Sequence, residues 1–291
     1  MSETVHIPVL LHECVESLNI QPGGIYVDGT FGGGGHSRAI AKAVGATGSV
    51  ISIDQDADTF DRASPWLEDY PIQLVHANFR KLPRILKELG IESVNGILLD
   101  LGFSSDQLAD ENRGFSFASD GELDLRFDSS RGEPAWKLVN RLSAKHLADI
   151  IYHNGEERFS RRIAAKIVET RRTSPIRYVG EFVDLVRSVV PRSKNHSIDP
   201  ATRTMQALRI EVNDELGSLD DALQQFPDLL APGGRFSIIS FHSLEDRRVK
   251  NAFRDHPLLE NLTKKPILPS EEELRVNSRA KSAKLRIAQK S

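Results

Sequence analysis

The sequence predicts an α/β fold, a mostly parallel sheet of seven strands whose chain is interrupted by an inserted helical domain. Three observations support this prediction. Short apolar strand candidates alternate with helical stretches over the first hundred residues, which is the βαβ pattern of a parallel sheet. The first candidate runs into a turn with five glycines within seven residues. Residues 101–234 separate the fourth and fifth candidates, whereas such connections are normally short.

The five parallel candidates are short apolar runs, most of which end in a polar residue. They are Ile25–Asp28, Ser49–Asp54, Ile72–His76, 96–100 and 235–240. Residues 97–99 are apolar throughout, as expected of a strand covered on both faces. Two more short strands are expected near 259–263 and 284–288, which brings the count to seven. Seven strands favour the Rossmann-like fold of class I methyltransferases over a six-stranded dinucleotide-binding sheet.

Helices are predicted where apolar residues recur every three or four positions. Pro8 fits the first turn of a helix. The apolar residues of that helix follow at Leu11, Cys14, Val15 and Leu18. Two further helices are expected over 37–44, directly after the glycine turn, and over 244–253.

The gap between the fourth and fifth strands predicts a compact helical insertion over 106–213, so that 1–105 and 214–291 form the sheet domain. Three apolar stripes at helical spacing support the insertion. They are Phe159, Ile163, Ile167 and Thr170; Phe182, Leu185, Val186, Val189 and Val190; and Met205, Leu208, Val212 and Leu216.

Composition narrows the class of protein. The 291 residues are 39% hydrophobic, enough for a sizeable core, and the net charge of −3 gives no general case for nucleic-acid binding. The single cysteine, Cys14, excludes an internal disulfide, and we expect it to be a core thiol. No apolar run approaches the roughly 20 residues of a membrane span, and we see no signal peptide. We therefore expect no membrane association and a cytoplasmic location.

The glycine turn and three strand-end carboxylates predict a ligand site. Glycine accepts positive φ and leaves backbone bare, and the helix that follows adds unpaired N–H groups. Asp54 comes 19 residues after Gly35, where a carboxylate can accept hydrogen bonds from both ribose hydroxyls. Asp28 either faces a ligand ammonium group or caps the turn. Phe79, just past the third strand, either covers an adenine or belongs to the core.

The stretch from Asp100 to Ser105 begins where the fourth strand ends, beside this expected site. A carboxylate, an exposed aromatic and hydroxyls suit a planar substrate that bears an exocyclic amine. Such a nitrogen is a poor nucleophile because its lone pair is delocalised into the ring. Asp100 could accept its N–H, and Phe103 could lie against the ring. The alternative is a plain turn, with Phe103 in the core and Ser104 capping a helix.

Other ligand classes have weaker support. Gly32-x-Gly34-x-x-Ser37 nearly fits the dinucleotide pattern, but serine replaces the third small residue. The phosphate loop that ends in Gly-Lys-Ser/Thr is absent. No cluster of His, Cys, Asp and Glu has the spacing of metal ligands, so we predict no structural zinc.

Two basic clusters raise the odds of a polyanionic partner on an otherwise slightly acidic chain. The first contains Arg158, Arg161, Arg162, Lys166, Arg171, Arg172 and Arg177. The second, in the tail, contains Arg275, Arg279, Lys281, Lys284, Arg286 and Lys290. Arg203 and Arg209 add to them. Such runs are also common on solvated faces.

These motifs together resemble one family, the bacterial cytosine-N4 methyltransferases of small-subunit ribosomal RNA (the RsmH or MraW family). The matching stretches are HIPVLL at 6–11, DGTFGGGGHS at 28–37, GILLDLGFSS at 96–105 with QL at 107–108, RGFSF at 113–117, GEER at 155–158, PATRT at 200–204 with QALRI at 206–210, ISFHSLEDR at 239–247, TKKPI at 263–267 and SAKLR at 282–286. The chain departs mildly, with GELDLR at 121–126 and NSR at 277–279, where the family often has GPLDMR and NPR.

The resemblance implies an S-adenosylmethionine-dependent enzyme that methylates N4 of one cytidine in 16S ribosomal RNA, at the decoding region. The sheet domain would be the methyltransferase domain, and the insertion would recognise the substrate. The implied cofactor contacts are Gly34, Gly35, His36, Asp54, Phe79, Asp100 and Gln107. Two alternatives are an NAD(P)-dependent oxidoreductase and a non-catalytic RNA-binding factor in ribosome assembly.

Overall fold

The structure is a computed structural model that describes residues 7–191 and 199–291. His6, the first residue of one matching stretch, and part of the predicted insertion lie outside these ranges. The described chain divides into two compact units. The sheet unit comprises Met1–Ser104 and Leu216–Ser291, and the helical unit comprises Ser105–Glu215.

The sheet unit contains a seven-stranded sheet, as predicted. Its strands are β1 (Ile25–Asp28), β2 (Ser49–Asp54), β3 (Ile72–His76), β4 (Val94–Asp100), β5 (Leu230–Ser240), β6 (Leu259–Asn261) and β7 (Lys284–Lys290). Their spatial order is β3-β2-β1-β4-β5-β7-β6. The first five are parallel, and β7 runs antiparallel to both β5 and β6. The carboxyl ends of β1, β2 and β4 therefore meet at one edge, where parallel sheets bind ligands.

The fifth strand begins earlier than the sequence predicts. Leu230 pairs with Val94, and Arg235 pairs with Gly96, so the register shifts between these two pairs. The intervening Ala-Pro-Gly-Gly residues are absorbed as an irregularity of β5. A turn-like composition hides this first part of the strand because Pro and Gly are otherwise rare in strand interiors.

Thirteen helices are present in the described chain. They are α1 (Leu11–Ser17), α2 (Gly35–Val44), α3 (Asp58–Leu67), α4 (Leu82–Glu88), α5 (Ser105–Ala109), α6 (Ala135–Arg141), α7 (Ala144–Gly155), α8 (Ser160–Thr170), α9 (Val179–Val189), α10 (Thr202–Asn213), α11 (Glu215–Leu229), α12 (Ser243–Asp255) and α13 (Glu271–Val276). None combines the length and the apolar character that a membrane crossing requires.

Two details of the helix prediction are wrong. Pro8 does not lie in a first helical turn, because Leu10 is left-handed (φ 53°) and α1 starts after it. The stripe through Met205, Leu208 and Leu216 spans two helices, because Asp214 (φ 48°) ends α10 before α11 begins.

Each face of the sheet is covered by a separate apolar core. Ile97, Leu99 and Phe236 belong to the first, together with residues of α4, α11 and α12. Tyr26 and Leu98 belong to the second, together with α1 and α2. Cys14 is fully buried in this second core. Alternate strand residues thus enter opposite cores, which fixes the register and the direction in which each strand-end side chain points.

The helical unit has a core of its own. Ile163 and Ile167 of α8, Phe182 and Val186 of α9, and Leu208 of α10 are fully buried. Asn213, at the end of α10, binds the loop that precedes α6. Its Nδ2 donates to Leu125 O (2.7 Å), and its Oδ1 accepts from Phe127 N (2.7 Å). The two predicted apolar stripes of α8 and α9 are only partly buried. Ile163, Ile167, Phe182, Leu185, Val186 and Val190 are buried, whereas Phe159, Thr170 and Val189 are half-buried.

Candidate active site at the edge of the sheet

Asp28 caps the glycine turn. Its side chain is fully buried, Oδ1 accepts from Thr30 N (3.1 Å), and Oδ2 accepts from Ser37 Oγ (2.6 Å). Ser37 is in α2, so this carboxylate joins the end of β1 to the helix across the turn. Of the two roles that the sequence left open for Asp28, the structure supports the cap.

Two positions of the turn require glycine for different physical reasons. Gly34 is left-handed (φ +73°), and a Cβ there would lie 2.6 Å from the Trp66 ring. A Cβ on Gly35 would lie 2.1 Å from Pro8 Cγ. Phe31 stacks on Trp66 with ring centroids 5.8 Å apart. The start of α2 is therefore held close to an aromatic pair and to the N-terminal segment, and any larger residue would push them apart.

Asp54 ties the end of β2 to the same turn. Its Oδ2 accepts from Gly32 N (2.7 Å), and its Oδ1 accepts from Asp56 N (2.9 Å). Burial raises the pKa of Asp54 to about 6, although the two backbone N–H groups oppose this rise. Each carboxylate oxygen has a second lone pair, so the group can still accept from a ligand hydroxyl.

Asp100 ends β4 in a different environment. Its backbone N–H donates to Thr30 Oγ1 (2.6 Å), which places it beside the glycine turn. The side chain is 20% exposed, and Oδ2 lies 3.7 Å from His36 Nδ1. Across the part of the chain that the structure describes, Oδ1 has no hydrogen-bond partner. An unsatisfied buried oxygen is costly, which makes it a candidate acceptor for a ligand N–H.

The charge of Asp100 is set by several neighbours. Burial raises its pKa to about 6, His36 and Arg279 lower it, and Asp28 and Glu245 raise it further. The carboxylate is therefore ionised at neutral pH but close to its titration range.

His36 has a fixed ring orientation. It is 4% exposed, and its Nε2 lies 3.0 Å from Val9 O. A carbonyl only accepts, so Nε2 is the donor and Nδ1 faces Asp100. His36 is thus both a packing residue at the start of α2 and a polar neighbour of Asp100.

The two aromatic candidates lie at the ends of β3 and β4. Phe79 starts a 3₁₀ turn and packs half-buried against the first core. A Cβ on Gly29 would lie 3.2 Å from Phe79 Cβ, so the ring is next to the glycine turn. The sequence predicted an exposed Phe103, but its side chain is half-buried. The Arg279 guanidinium covers it, with its carbon 5.8 Å from the ring centroid.

Gln107 is in the helical unit, where it is buried on α5. The other predicted site residues, Gly34, Gly35, His36, Asp54, Phe79, Asp100 and Phe103, all belong to the sheet unit. Binding of a cofactor by any of these residues, including Gln107, stays a prediction.

Sequence reasoning assigned no site role to Arg279. Its signals were membership of the basic tail and of the NSR stretch at 277–279, where the resembled family often has NPR. In 7–191 and 199–291, no group of three or more His, Cys, Asp or Glu is placed to hold a metal ion.

Comparison with known proteins identifies the family. The sequence profile described as "MraW methylase family" matches residues 3–291. The chain belongs to the MraW methylase family. Membership accords with the sheet, since five parallel strands followed by an antiparallel β7 are the class I methyltransferase fold.

Relatives in this MraW family share the full length of the chain. A protein of Rhodopirellula baltica is 50% identical over 301 residues, covering 99% of this chain and 92% of its own. One of Cyanothece is 49% identical, covering 99% and 95%, and one of Brevibacillus brevis is 44% identical, covering 98% of each. All three are named "Ribosomal RNA small subunit methyltransferase H".

Proposed function

We propose that this protein transfers a methyl group from S-adenosylmethionine to N4 of one cytidine in 16S ribosomal RNA, in the decoding region of the small subunit. Membership of the MraW methylase family supports the methyl transfer, and the names of its relatives support the ribosomal RNA substrate. The observation in the structure that best supports the reaction is the position of Asp100 Oδ1 beside the glycine turn, where it has no hydrogen-bond partner among residues 7–191 and 199–291.

The residues of the sheet unit fit the cofactor. Asp54 retains lone pairs for the ribose hydroxyls, and the half-buried side chain of Phe79 starts beside the turn. Asp100 Oδ1 is an orphaned acceptor for an N–H donor. When bound, S-adenosylmethionine supplies a methyl group already activated on a sulfonium. The protein mainly has to orient the acceptor and exclude water, and orientation alone can contribute about 7–11 kcal/mol.

Asp100 has the properties needed to activate the cytosine amine. As an ionised carboxylate it accepts an N–H, which restores electron density to the N4 lone pair. Phe103, three residues further on, would lie against the base. The base has to leave its stack to reach these residues, as in other enzymes that modify nucleobases.

The basic residues of the helical unit are the better candidates for contacts with the RNA backbone. Arg158, Arg161, Arg162 and Arg203 are exposed. Phe159 lies between two of them, with guanidinium carbons 4.7 and 5.4 Å from its ring centroid. Alternating cations and rings suit a nucleic-acid strand.

Much of the basic tail has internal partners instead. Arg286 is buried and its Nε lies 2.7 Å from Asp246 Oδ1, while Lys284 pairs with the same carboxylate. Lys290 donates to backbone carbonyls of Asp228 and Leu230. These three cations stabilise the sheet unit, so we favour the helical unit as the main RNA contact. A ribosomal RNA substrate supports a cytoplasmic location and the small ribosomal subunit as the partner.

Mass spectrometry of 16S ribosomal RNA tests the function. A deletion strain should lack one N4-methylcytidine, wild type should restore it, and Asp100→Asn should not. An unchanged methylation pattern in the deletion strain would identify an idle assembly factor. Equilibrium binding of S-adenosylmethionine against NAD separates the enzyme from an oxidoreductase, which would prefer NAD.

Salt dependence of RNA binding tests the helical unit. Replacing both Arg158 and Arg162 with alanine should flatten the slope of log affinity against log salt by about 0.7 for each lost contact to single-stranded RNA. Arg84→Ala is the control, because this exposed arginine pairs only locally with Glu88 on α4. Equal slopes for all three proteins would exclude this surface.

A further inference from the structure

We propose that Arg279 is a positioning residue for the methyl transfer, holding Phe103 and the loop after β4 in the arrangement that the substrate base requires. The proposal rests on the proposed function, because it gives Arg279 a task in that reaction. It differs from the general expectation that basic tail residues hold RNA, since it directs this arginine inward to the site.

Two contacts join Arg279 to Phe103. Its Nη2 donates a hydrogen bond to the Phe103 carbonyl, and its guanidinium carbon lies 5.8 Å from the centroid of the Phe103 ring. The first contact fixes the backbone and the second fixes the ring, so together they restrain both. A planar guanidinium can do this, whereas a lysine ammonium lacks the rigid fork.

The loop needs such a restraint. Gly102 has φ +103°, and the nearest heavy atom to a Cβ built there is a Phe241 ring carbon 3.9 Å away. The backbone at this point is therefore permissive and loosely packed on that side. The contacts from Arg279 therefore act on a residue that directly follows a conformationally permissive glycine.

Arg279 comes from a well-anchored segment. It lies in a 3₁₀ turn, Ser278–Ser282, preceded by the buried Asn277, whose Nδ2 donates to Ile7 O (3.1 Å). One turn earlier, Glu273 Oε1 accepts from Leu10 N (2.9 Å). Both contacts reach the N-terminal segment 7–10.

The same anchoring reaches a second neighbour of Asp100. Val9 O, in segment 7–10, accepts from His36 Nε2, and His36 Nδ1 faces Asp100. The charged or titratable groups that act on Asp100 include His36 of α2, Arg279 of the 3₁₀ turn, Asp28 of β1 and Glu245 of α12, and the thiol of Cys14 of α1 also interacts with it. Arg279 and His36 favour the ionised carboxylate and the two acids oppose it, so loss of Arg279 should raise the pKa of Asp100.

Arg279→Ala, Arg279→Lys and the control Arg84→Ala test the proposal in the full chain. For Arg279→Ala we expect kcat with 16S ribosomal RNA to fall about tenfold or more, while the Kd for S-adenosylmethionine changes less than twofold. The acid limb of the kcat–pH profile should move to higher pH. Arg279→Lys should restore the limb but not kcat, since it keeps the charge and loses the fork. Arg84→Ala should match wild type.

Hydrogen exchange of the ligand-free proteins supplies a readout independent of catalysis. Amides of the loop after β4 should exchange faster in Arg279→Ala than in wild type and Arg84→Ala. Wild-type kcat, limb and exchange in Arg279→Ala would overturn the proposal, as would full recovery of kcat in Arg279→Lys. If Arg279→Ala does not fold, the lysine variant decides alone. Absence of methylation by the wild type would refute the proposed function instead, and the exchange result would still stand.

Discussion

The ends of β2 and β4 carry the same chemical group in opposite surroundings. Asp54 and Asp100 are both buried carboxylates at one edge of the sheet, and burial raises the pKa of each to about 6. Asp54 accepts two backbone N–H groups, one on each oxygen. Asp100 faces a histidine through one oxygen and leaves the other without a partner in the described chain.

This difference indicates different roles for the two carboxylates: Asp54 binds, and Asp100 takes part in the reaction. Two backbone N–H groups already donate to Asp54 and hold the turn in place. The remaining lone pairs of Asp54 are suited to binding a ligand and not to taking part in the reaction. Asp100 keeps an oxygen in reserve at a cost in folding free energy, which is typical of functional groups.

Asp100→Asn should have the largest effect. Loss of the anionic acceptor removes activation of the amine, so kcat should fall by about 10²-fold or more, as for other positioned acid–base groups. Single-turnover methyl transfer at saturating cofactor measures it. A rate within threefold of wild type would remove Asp100 from the chemistry and end the contrast with Asp54.

The same substitution should stabilise the fold at neutral pH. With a native pKa of about 6 against an ordinary 3.8, native Asp100 binds more protons than the unfolded chain between about pH 4 and 6. Its contribution to the free energy of unfolding therefore falls as pH rises through that window. Asn has no charge to bury, so Asp100→Asn should gain at most about 3 kcal/mol over wild type at pH 7 and little at pH 4. Urea unfolding at both pH values provides the measurement, and a loss of stability at pH 7 would contradict it.

Asp54→Asn should stabilise the fold less than Asp100→Asn at pH 7. Removal of a carboxylate whose pKa is raised to about 6 gains at most about 3 kcal/mol, but one backbone N–H group would then face an amide N–H group at a cost of about 1–3 kcal/mol. The Kd for S-adenosylmethionine should rise about tenfold, while kcat at saturation stays near wild type. Calorimetric titration reports the affinity. A large fall in kcat with unchanged Kd would reverse the roles assigned to the two carboxylates.

The difference between Gly34→Ala and Gly90→Ala should be the smallest of these effects and refines the Asp54 side of the comparison. Both glycines have positive φ (+73° and +70°), but nothing lies within 4 Å of a Cβ on Gly90. Each substitution carries a positive-φ penalty of about 1–2 kcal/mol, and only Gly34→Ala adds a clash with Trp66. We expect Gly34→Ala to be the more destabilising in thermal melts. Equal losses of thermal stability would mean that the Trp66 side chain moves aside at little energetic cost.

The sequence predicted the strands well because buried parallel strands are uninterrupted apolar runs, as at 97–99. It could not predict the start of α1, because the left-handed Leu10 is fixed by Glu273, far along the chain. It also could not locate the break at Asp214, since the apolar period continues across it. Local patterns carry no record of such distant contacts.

The sequence likewise predicted some features of the candidate site and not others. The positions of Asp54 and Asp100 followed from strand ends and the glycine turn. Their partners, Gly32 N for one and His36 and Arg279 for the other, come from separate elements that only the fold brings together. The choice between two roles for Asp28 likewise required sight of Ser37.

The place of β7 has a consequence for solubility. This strand lies between β5 and β6, pairing Arg235–Ser240 on one side and Leu259–Asn261 on the other. In a chain shortened before Lys284, β5 would become an exposed edge strand. Phe236, Ile238 and Ile239 of this strand are all buried in the intact sheet. Open apolar borders recruit strands from other molecules. Such a product should form inclusion bodies although, of the cofactor and substrate residues named above, it lacks only the tail cations Lys284, Arg286 and Lys290.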